Sequence, residues 1–336
     1  MKKYNVAIVG ATGAVGQELL KVLAERNFPV GELRLLASAR SAGKVISYQG
    51  QEYTIGLTDE KAFAGIDIAL FAGGSASTEF AQAAVEAGAV VIDNSSAFRM
   101  NPEVPLVVPE VNPEDVDWHK GIIANPNCST IIMAVALKPL HDAAGIERVV
   151  VSTYQAVSGA GKEGITELTE QTGQVLRGEP AEPSVFAHPI AFNLIPHIDV
   201  FQDGDYTKEE WKMIKETRKI MHEADMRITA TTVRVPVYRS HSESINIEFK
   251  RKITAAEAKE VLANAPGVIV IDDVQNKQYP MPLYTSDKDE VFVGRIREDL
   301  SIDKGLNLWV VADQIRKGAA TNAVQIAETL IQRNRI

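Results

Sequence analysis

The sequence predicts an α/β protein of two domains: a doubly wound parallel sheet first, then an α+β domain built on a large mixed sheet. Three observations lead there. The chain has 336 residues, enough for about two domains. Its first half alternates short apolar runs with amphipathic stretches, the pattern of parallel strands joined by helices. Its second half carries β-branched runs with period-two alternation, which read as a mostly antiparallel sheet.

Taken in order, "YNVAIVG" reads as a buried strand and "AVGQELLKVLAERNF" as a helix with Leu19, Leu20, Val22 and Leu23 on its apolar side. "GELRLLAS", "IDIALFAGG" and "AVVIDNSS" read as strands, with the helix "STEFAQAAVEAG" before the last of them. A long apolar run after Cys128 predicts a helix starting at Ser129 or Thr130. Later, "ERVVVSTYQAVSG", "RITATTVRVPVY", "HSESINIEFKR" and "GVIVIDD" read as strands. "KEGITELTEQTGQVLRG" reads as a helix, and so does the stretch from Thr207, where Thr207 and Glu210 fit a capping box. Between those helices, four prolines in "GEPAEPSVFAHPIAFNLIPHID" argue against regular structure. "DQIRKGAATNAVQIAETLIQRNR" reads as one closing helix.

Composition excludes several function classes. The net charge is −9 with no long basic block, which argues against sequence-independent nucleic-acid binding. No stretch approaches the length of a membrane span. The N-terminal apolar stretch breaks at Gly10 without a cleavage site, so it reads as a strand and not a signal peptide. A single cysteine makes no internal disulfide. These readings set the expectation of a cytoplasmic protein that binds neither membrane nor nucleic acid.

The first chemistry lies in "GATGAVG", where Gly10, Gly13 and Gly16 sit between a strand and a helix. Amides at a helix start carry partial positive charge and hold a pyrophosphate. Glycine lets the phosphate come close to the backbone. The spacing is G-x-x-G-x-x-G, not the usual G-x-G-x-x-G. The context still points to a Rossmann-like dinucleotide-binding domain, with Gly10, Thr12, Gly13, Ala14 and Val15 in the loop. The second strand ends in Ser38, Ala39, Arg40 and Ser41, with no acidic residue to accept from a ribose hydroxyl. An arginine flanked by hydroxyls suits a 2′-phosphate, which favours NADP over NAD.

Cys128 stands at the leading edge of its apolar run. A thiol at a helix N-terminus has its pKa lowered from about 8.5 and can act as a nucleophile. It can equally be a small buried residue. No Cys/His cluster surrounds it, so a metal site finds no support. His241, in "VRVPVYRSHSESINI", is a candidate base, with Arg234 upstream. An odd spacing separates Arg234 from His241, which on an unbroken strand would place them on opposite faces. Pro236 and "RSHSE" therefore predict a bend or bulge between them, which could bring both to one site.

"GATGAVG", "SARSAGK", "DNSSAFRM", "NPNCST", "TYQAVSGAG", "HPIAFNLIPHID" and "RVPVYRSHSESI", in this order over nearly the whole chain, resemble the aspartate-β-semialdehyde dehydrogenase family. Insertion lengths are similar to those of the enzymes of Gram-positive bacteria. The resemblance implies an NADP-dependent interconversion of L-aspartate 4-semialdehyde and phosphate with L-4-aspartyl phosphate. That reaction feeds lysine, threonine, methionine and diaminopimelate synthesis. The resemblance further implies a Cys128 nucleophile, a His241 acid/base and Gln155 beside the thiol. Arg234 and Glu209 would bind substrate, and Arg99 and Lys212 phosphate. Ser158, Gly159 and Gln314 would lie near the nicotinamide. It implies a homodimer or homotetramer. An NADP domain would cover 1–127, a catalytic and dimerisation domain 128–313, and the helix 314–336 would pack back on the first.

The residue types suit that chemistry. A thiol adds to an aldehyde, hydride leaves, and a thioester remains for phosphate to attack. A planar arginine and a carboxylate are natural clamps for a substrate with one carboxylate and one ammonium. A histidine near pKa 7 could take the thiol proton and protonate or deprotonate the adduct oxygen. Two alternatives remain. One is N-acetylglutamyl-phosphate reductase, whose family usually has glycine before the cysteine, where this chain has Asn127. The other is an inactive NADP-binding regulator, against which the presence of Cys128, Gln155, Arg234 and His241 counts. Taken alone, Glu209 and Lys212 also read as a surface ion pair.

Overall fold

The computed structural model describes residues 2–336, in two compact units. The first runs up to Asn127 and takes in Ala319–Ile336; the second is Cys128–Gly318.

The first unit contains β1 (Tyr4–Val9), α1 (Ala14–Glu25), β2 (Val30–Ala37), a hairpin of β3 (Val45–Tyr48) and β4 (Gln51–Thr54), β5 (Gly56–Leu57), β6 (Ile68–Phe71), α2 (Ala76–Glu86), β7 (Val90–Asp93) and β8 (Ile122–Ala124). Six of the strands form one sheet in the order β5-β2-β1-β6-β7-β8, every pair parallel. Alternation along β1 builds a core on each face. Val6 and Ile8 pack with Leu19 and Leu23 of α1 and with Val324 and Leu330 of the C-terminal helix. Ala7 and Val9 pack with Phe63 and with Ala81 and Ala84 of α2. Strand order reverses between β1 and β6, and such a reversal opens a crevice at the carboxyl ends of the strands.

The second unit holds α3 (Cys128–Ala144), β9 (Ile146–Gln155), α4 (Gly161–Leu176), α5 (Lys208–Ile220), β10 (Arg227–Arg234), β11 (His241–Phe249), α6 (Ala255–Ala263), β12 (Val268–Val270), α7 (Pro282–Thr285), β13 (Val291–Glu298) and β14 (Gly305–Ala312). Its sheet runs β10-β9-β11-β14-β13-β12. The two outer pairs are parallel and the three inner pairs antiparallel. The predicted large mixed sheet is present. Its inward positions, such as Val149, Val151, Ile245, Ile247, Leu308 and Val310, are fully buried. The apolar run after Cys128 is the buried helix α3.

Three local expectations needed correction. α3 begins at Cys128 itself, not one or two residues later. The closing helix is not continuous from Asp313: a turn carries Gln314, residues Arg316–Ala320 form a π-helix, and only Thr321–Gln332 is α-helical (α8). Arg234 and His241 do not share a bent strand. They end β10 and begin β11, with β9 between them.

Candidate active site

The sequence-predicted residues fall into two groups, one in each unit. In the first unit, Gly10 takes φ +85° and its N–H donates to Leu36 O at 2.9 Å, so the loop leaves β1 at the level where β2 ends. A Cβ on Gly16 would lie 2.3 Å from Gly10 O and 2.8 Å from Ala11 Cα. That glycine is therefore required for α1 to pack under the loop. α1 has no side-chain cap at Gly13 and no acidic residue in its first turn. An uncapped helix start without an acid fits a pyrophosphate, since anions bind where amides lack partners.

Thr12, Gly13 and Ala14 are exposed and Val15 half-buried on the same loop. Past the end of β2, Ser41 N–H donates to Ser38 O at 2.8 Å. This tight turn leaves Ser38 and Arg40 exposed and Ser41 buried. Gly73 and Gly74, at φ +112° and +87°, form a second glycine turn after β6 at the same sheet edge. In the sequence these two glycines read as the end of a strand. Arg99 follows β7; its Nε donates to Asn125 O at 3.0 Å and an Nη to Asn94 O at 2.8 Å.

In the second unit the site is built on neighbouring strand ends. Gln155 is the last residue of β9, in register with Arg234 at the end of β10. His241 opens β11 on the other side of β9, in register with Ala312 of β14. Gln155, Arg234 and His241 all face inward and are buried. The crossing between Arg234 and His241 passes over the end of β9: Val235 N–H donates to Gln155 O and Val157 N–H to Val237 O. A spacing of seven thus places both side chains on one face because two strands, not one, carry them.

Each polar atom has a place. Thr153 Oγ donates to Gln155 Oε1 at 2.9 Å, which turns Gln155 Nε2 toward Glu209 Oε1 at 3.2 Å. Glu209 Oε2 accepts from Lys212 Nζ at 3.0 Å, and Lys212 also donates to Asp199 at 2.9 Å. Burial opposes the Lys212 charge, but Glu209 and Asp199 outweigh it and hold the ammonium above its ordinary value. Glu210 is committed elsewhere: it closes the capping box with Thr207 and accepts from Thr232 N–H at 3.0 Å. Arg234 donates to Ala156 O at 2.7 Å. Burial lowers its pKa, while Glu209 and Cys128 act in the opposite direction. The guanidinium thus sits within electrostatic reach of the thiol and of the acid.

His241 is fully buried, and burial together with the Arg234 charge pushes its pKa well below the ordinary value. The expected ring near pKa 7 is replaced by one that stays neutral. Its Nδ1 accepts from Ala156 N–H at 3.0 Å. A neutral ring that accepts at Nδ1 carries its proton on Nε2. Gly159 lies beside it: a Cβ there would be 2.8 Å from an Arg234 Nη and 3.3 Å from His241 Cε1. Ser158 is buried, and Gln314 Nε2 donates to its Oγ at 2.5 Å. Among the described residues no cluster of His, Cys, Asp and Glu could hold a metal ion.

A family described as "Semialdehyde dehydrogenase, NAD binding domain" matches residues 5–119, and "Semialdehyde dehydrogenase, dimerisation domain" matches residues 137–317. The aspartate-semialdehyde dehydrogenase of Aquifex aeolicus is 63% identical, with 98% of each chain covered. The chain belongs to the aspartate-semialdehyde dehydrogenase family.

Solved structures of this family superpose closely. Aspartate semialdehyde dehydrogenase II of Vibrio cholerae, complexed with ASA, is 50% identical at a TM-score of 0.94, with 99% of each chain covered. The Candida albicans aspartate semialdehyde dehydrogenase, solved with NADP, is 26% identical at a TM-score of 0.78, with 100% of each chain covered.

Two features beside the candidate dehydrogenase residues went unseen in the sequence. A Cβ on Gly318 would lie 2.8 Å from Cys128 Cβ, so a glycine in the π-helix lets that turn pack on the thiol residue. Buried Asp313 accepts from Arg239 Nε and from the backbone N–H of Asp287, Ile315 and Arg316. The glycine had no motif around it, and the aspartate was read as the start of a helix.

Proposed function

We propose that this chain is an NADP-dependent aspartate-semialdehyde dehydrogenase. It interconverts L-aspartate 4-semialdehyde and phosphate with L-4-aspartyl phosphate, and so serves lysine, threonine, methionine and diaminopimelate synthesis. The observation that carries the chemistry is the cluster at the strand ends. Gln155, Arg234 and neutral His241 lie buried side by side, with Arg234 charged within reach of Cys128 at the start of α3.

In the oxidative direction Cys128 attacks the aldehyde carbon as the thiolate, favoured by the helix start and by Arg234. A tetrahedral alkoxide forms. His241 donates its Nε2–H to that oxygen and stabilises its charge, in the manner of an oxyanion donor. Of the two roles the sequence suggests for this ring, the one at the adduct oxygen is kept and the one at the thiol proton is not. NADP, when bound, is the hydride acceptor. The resulting Cys128 thioester is attacked at its carbonyl by phosphate, which releases the acyl phosphate and returns the thiolate. Gln155 fills the space between His241 and Glu209 and orients the adduct. Arg234 clamps the substrate carboxylate, Glu209 its ammonium, and Lys212 the phosphate.

Gly10, Thr12, Gly13, Ala14 and Val15 cradle the cofactor pyrophosphate, while Ser38, Arg40 and Ser41 receive the 2′-phosphate. Ser158, Gly159 and Gln314 line the nicotinamide end. The first unit is thus the NADP domain and the second the catalytic and dimerisation domain. The protein works as a homodimer or homotetramer in the cytoplasm. No helix among the described residues is long and apolar enough to cross a membrane.

The test is NADP reduction with L-aspartate 4-semialdehyde, with and without phosphate, beside N-acetyl-L-glutamate 5-semialdehyde. Phosphate-dependent turnover of the first substrate alone is expected. Turnover of the acylated substrate alone would assign the sister reaction, and binding of NADP without either turnover would assign a regulator.

A further inference from the structure

His241 reaches its position through an unusual residue. Ser240, immediately before it, has φ +72° and is fully buried. A serine in the left-handed region is disfavoured and persists only where its surroundings hold it. Here they do. Ser240 N–H donates to Gln314 Oε1 at 2.9 Å, and Gln314 Nε2 donates to Ser158 Oγ at 2.5 Å. Ser240 Oγ accepts from Thr285 Oγ and lies 3.1 Å from Ser286 Oγ. Gln314 is itself buried, so its amide is spent between two protein groups. Ser158 belongs to the same turn as Ala156, whose N–H fixes the His241 ring at Nδ1.

We propose that Gln314 is a positioning residue for His241. Its side-chain amide ties the left-handed turn at Ser240 to the turn at Ser158, and so sets the direction in which His241 presents Nε2. This goes beyond a contact with the nicotinamide, and it rests on the reading of His241 as the donor to the adduct. Loosening the clamp lets Ser240 relax toward ordinary φ, rotates the start of β11, and separates the ring from Ala156 N–H. The ring then meets water and protonates more easily.

The experiment compares wild type, Gln314→Leu and the double variant Ser240→Gly/Gln314→Leu. Leucine is similar in size and has no polar atoms; glycine at position 240 takes a positive φ without strain, so the turn no longer needs the clamp. Three quantities are read: the ¹⁵N shifts of His241 against pH, the NADP dissociation constant by fluorescence titration, and the pH profile of kcat/KM. For Gln314→Leu the expectation is a His241 titration displaced upward toward the ordinary histidine range. The acid limb of kcat/KM should follow it, and kcat should fall on the order of 10-fold to 100-fold, a loss that saturating NADP does not restore. In Ser240→Gly/Gln314→Leu the titration should return toward the wild-type position; one left displaced there would overturn the turn as the link.

A dissociation constant raised tenfold or more, with His241 unmoved in Gln314→Leu, would make Gln314 a cofactor contact only and overturn the proposal. Should the leucine variant not fold, Gln314→Asn, whose shorter amide does not reach both turns, takes its place: a His241 titration displaced upward there supports the proposal and an unmoved one overturns it. The ¹⁵N reading needs no turnover. A His241 shift in a protein without phosphate-dependent activity would leave the clamp standing while removing the functional reading.

Discussion

The glycine loop of the first unit and the strand-end cluster of the second solve different problems with different materials. The loop is mostly exposed backbone: Gly10 turns it, Gly16 lets α1 approach, and amides at an uncapped helix start face outward. The cluster is buried side chain, drawn from β9, β10, β11 and α5. A backbone site depends on a few consecutive residues, whereas a side-chain site depends on strand order. Damage should differ accordingly, local in the first and distributed in the second.

The largest effect is expected at Cys128. Cys128→Ala should abolish phosphate-dependent NADP reduction by roughly four orders of magnitude while leaving NADP binding intact, measured by steady-state rates and fluorescence titration. Arg234→Lys comes next. It keeps the charge and loses the planar fork, so kcat/KM for the semialdehyde should fall on the order of 100-fold, about 2.7 kcal/mol. Gly16→Ala should damage the loop alone. Its new Cβ meets backbone, not a movable side chain, at a cost of about 1–3 kcal/mol. The expected reading is weakened NADP binding together with a lower melting temperature.

A fourth prediction concerns stability on the inward face of β11. Glu243 is fully buried there with neither carboxylate oxygen bonded, and burial pushes its pKa well above the ordinary value. The fold therefore keeps it protonated, while the unfolded chain ionises above about pH 4.3. Folding then takes up a proton, and stability falls as pH rises, by up to about 1.4 kcal/mol per pH unit. Glu243→Gln removes that dependence. Denaturant titrations from pH 5 to pH 8 should show the variant gaining on wild type as pH rises; a constant difference would refute the assignment. The smallest effect is expected at Arg40. Arg40→Ala should weaken NADP about tenfold and leave NAD unchanged, because the lost partner is the 2′-phosphate.

The same contrast explains what the sequence could reveal. "GATGAVG" and the Thr207–Glu210 capping box are local, and each can be read from a few consecutive residues. Cys128 at a helix start is also a local inference; the helix begins one or two residues earlier than that reading places it. A break between Arg234 and His241 that brings both to one site is legible near Pro236, but nothing there says that β9 lies between the two. The β3–β4 hairpin escaped because its strands are short and half polar. Glu209 and Glu210 differ only in which side of α5 they occupy, so a three-residue spacing to Lys212 was all the sequence offered. The Gln314 clamp was hidden in a segment whose helical composition masks a turn and a π-helix.

The central claim is that Cys128 carries the acyl group between hydride transfer and phosphate attack. It is tested most directly by omitting phosphate. Mixing enzyme, NADP and L-aspartate 4-semialdehyde in a rapid-quench instrument should give a burst of NADPH equal to the active sites and then near silence. Mass spectrometry should place an aspartyl thioester on the Cys128 peptide, and phosphate should discharge it. A phosphate-free burst with no adduct on Cys128, or no burst at all from an enzyme that turns over with phosphate, would contradict the account.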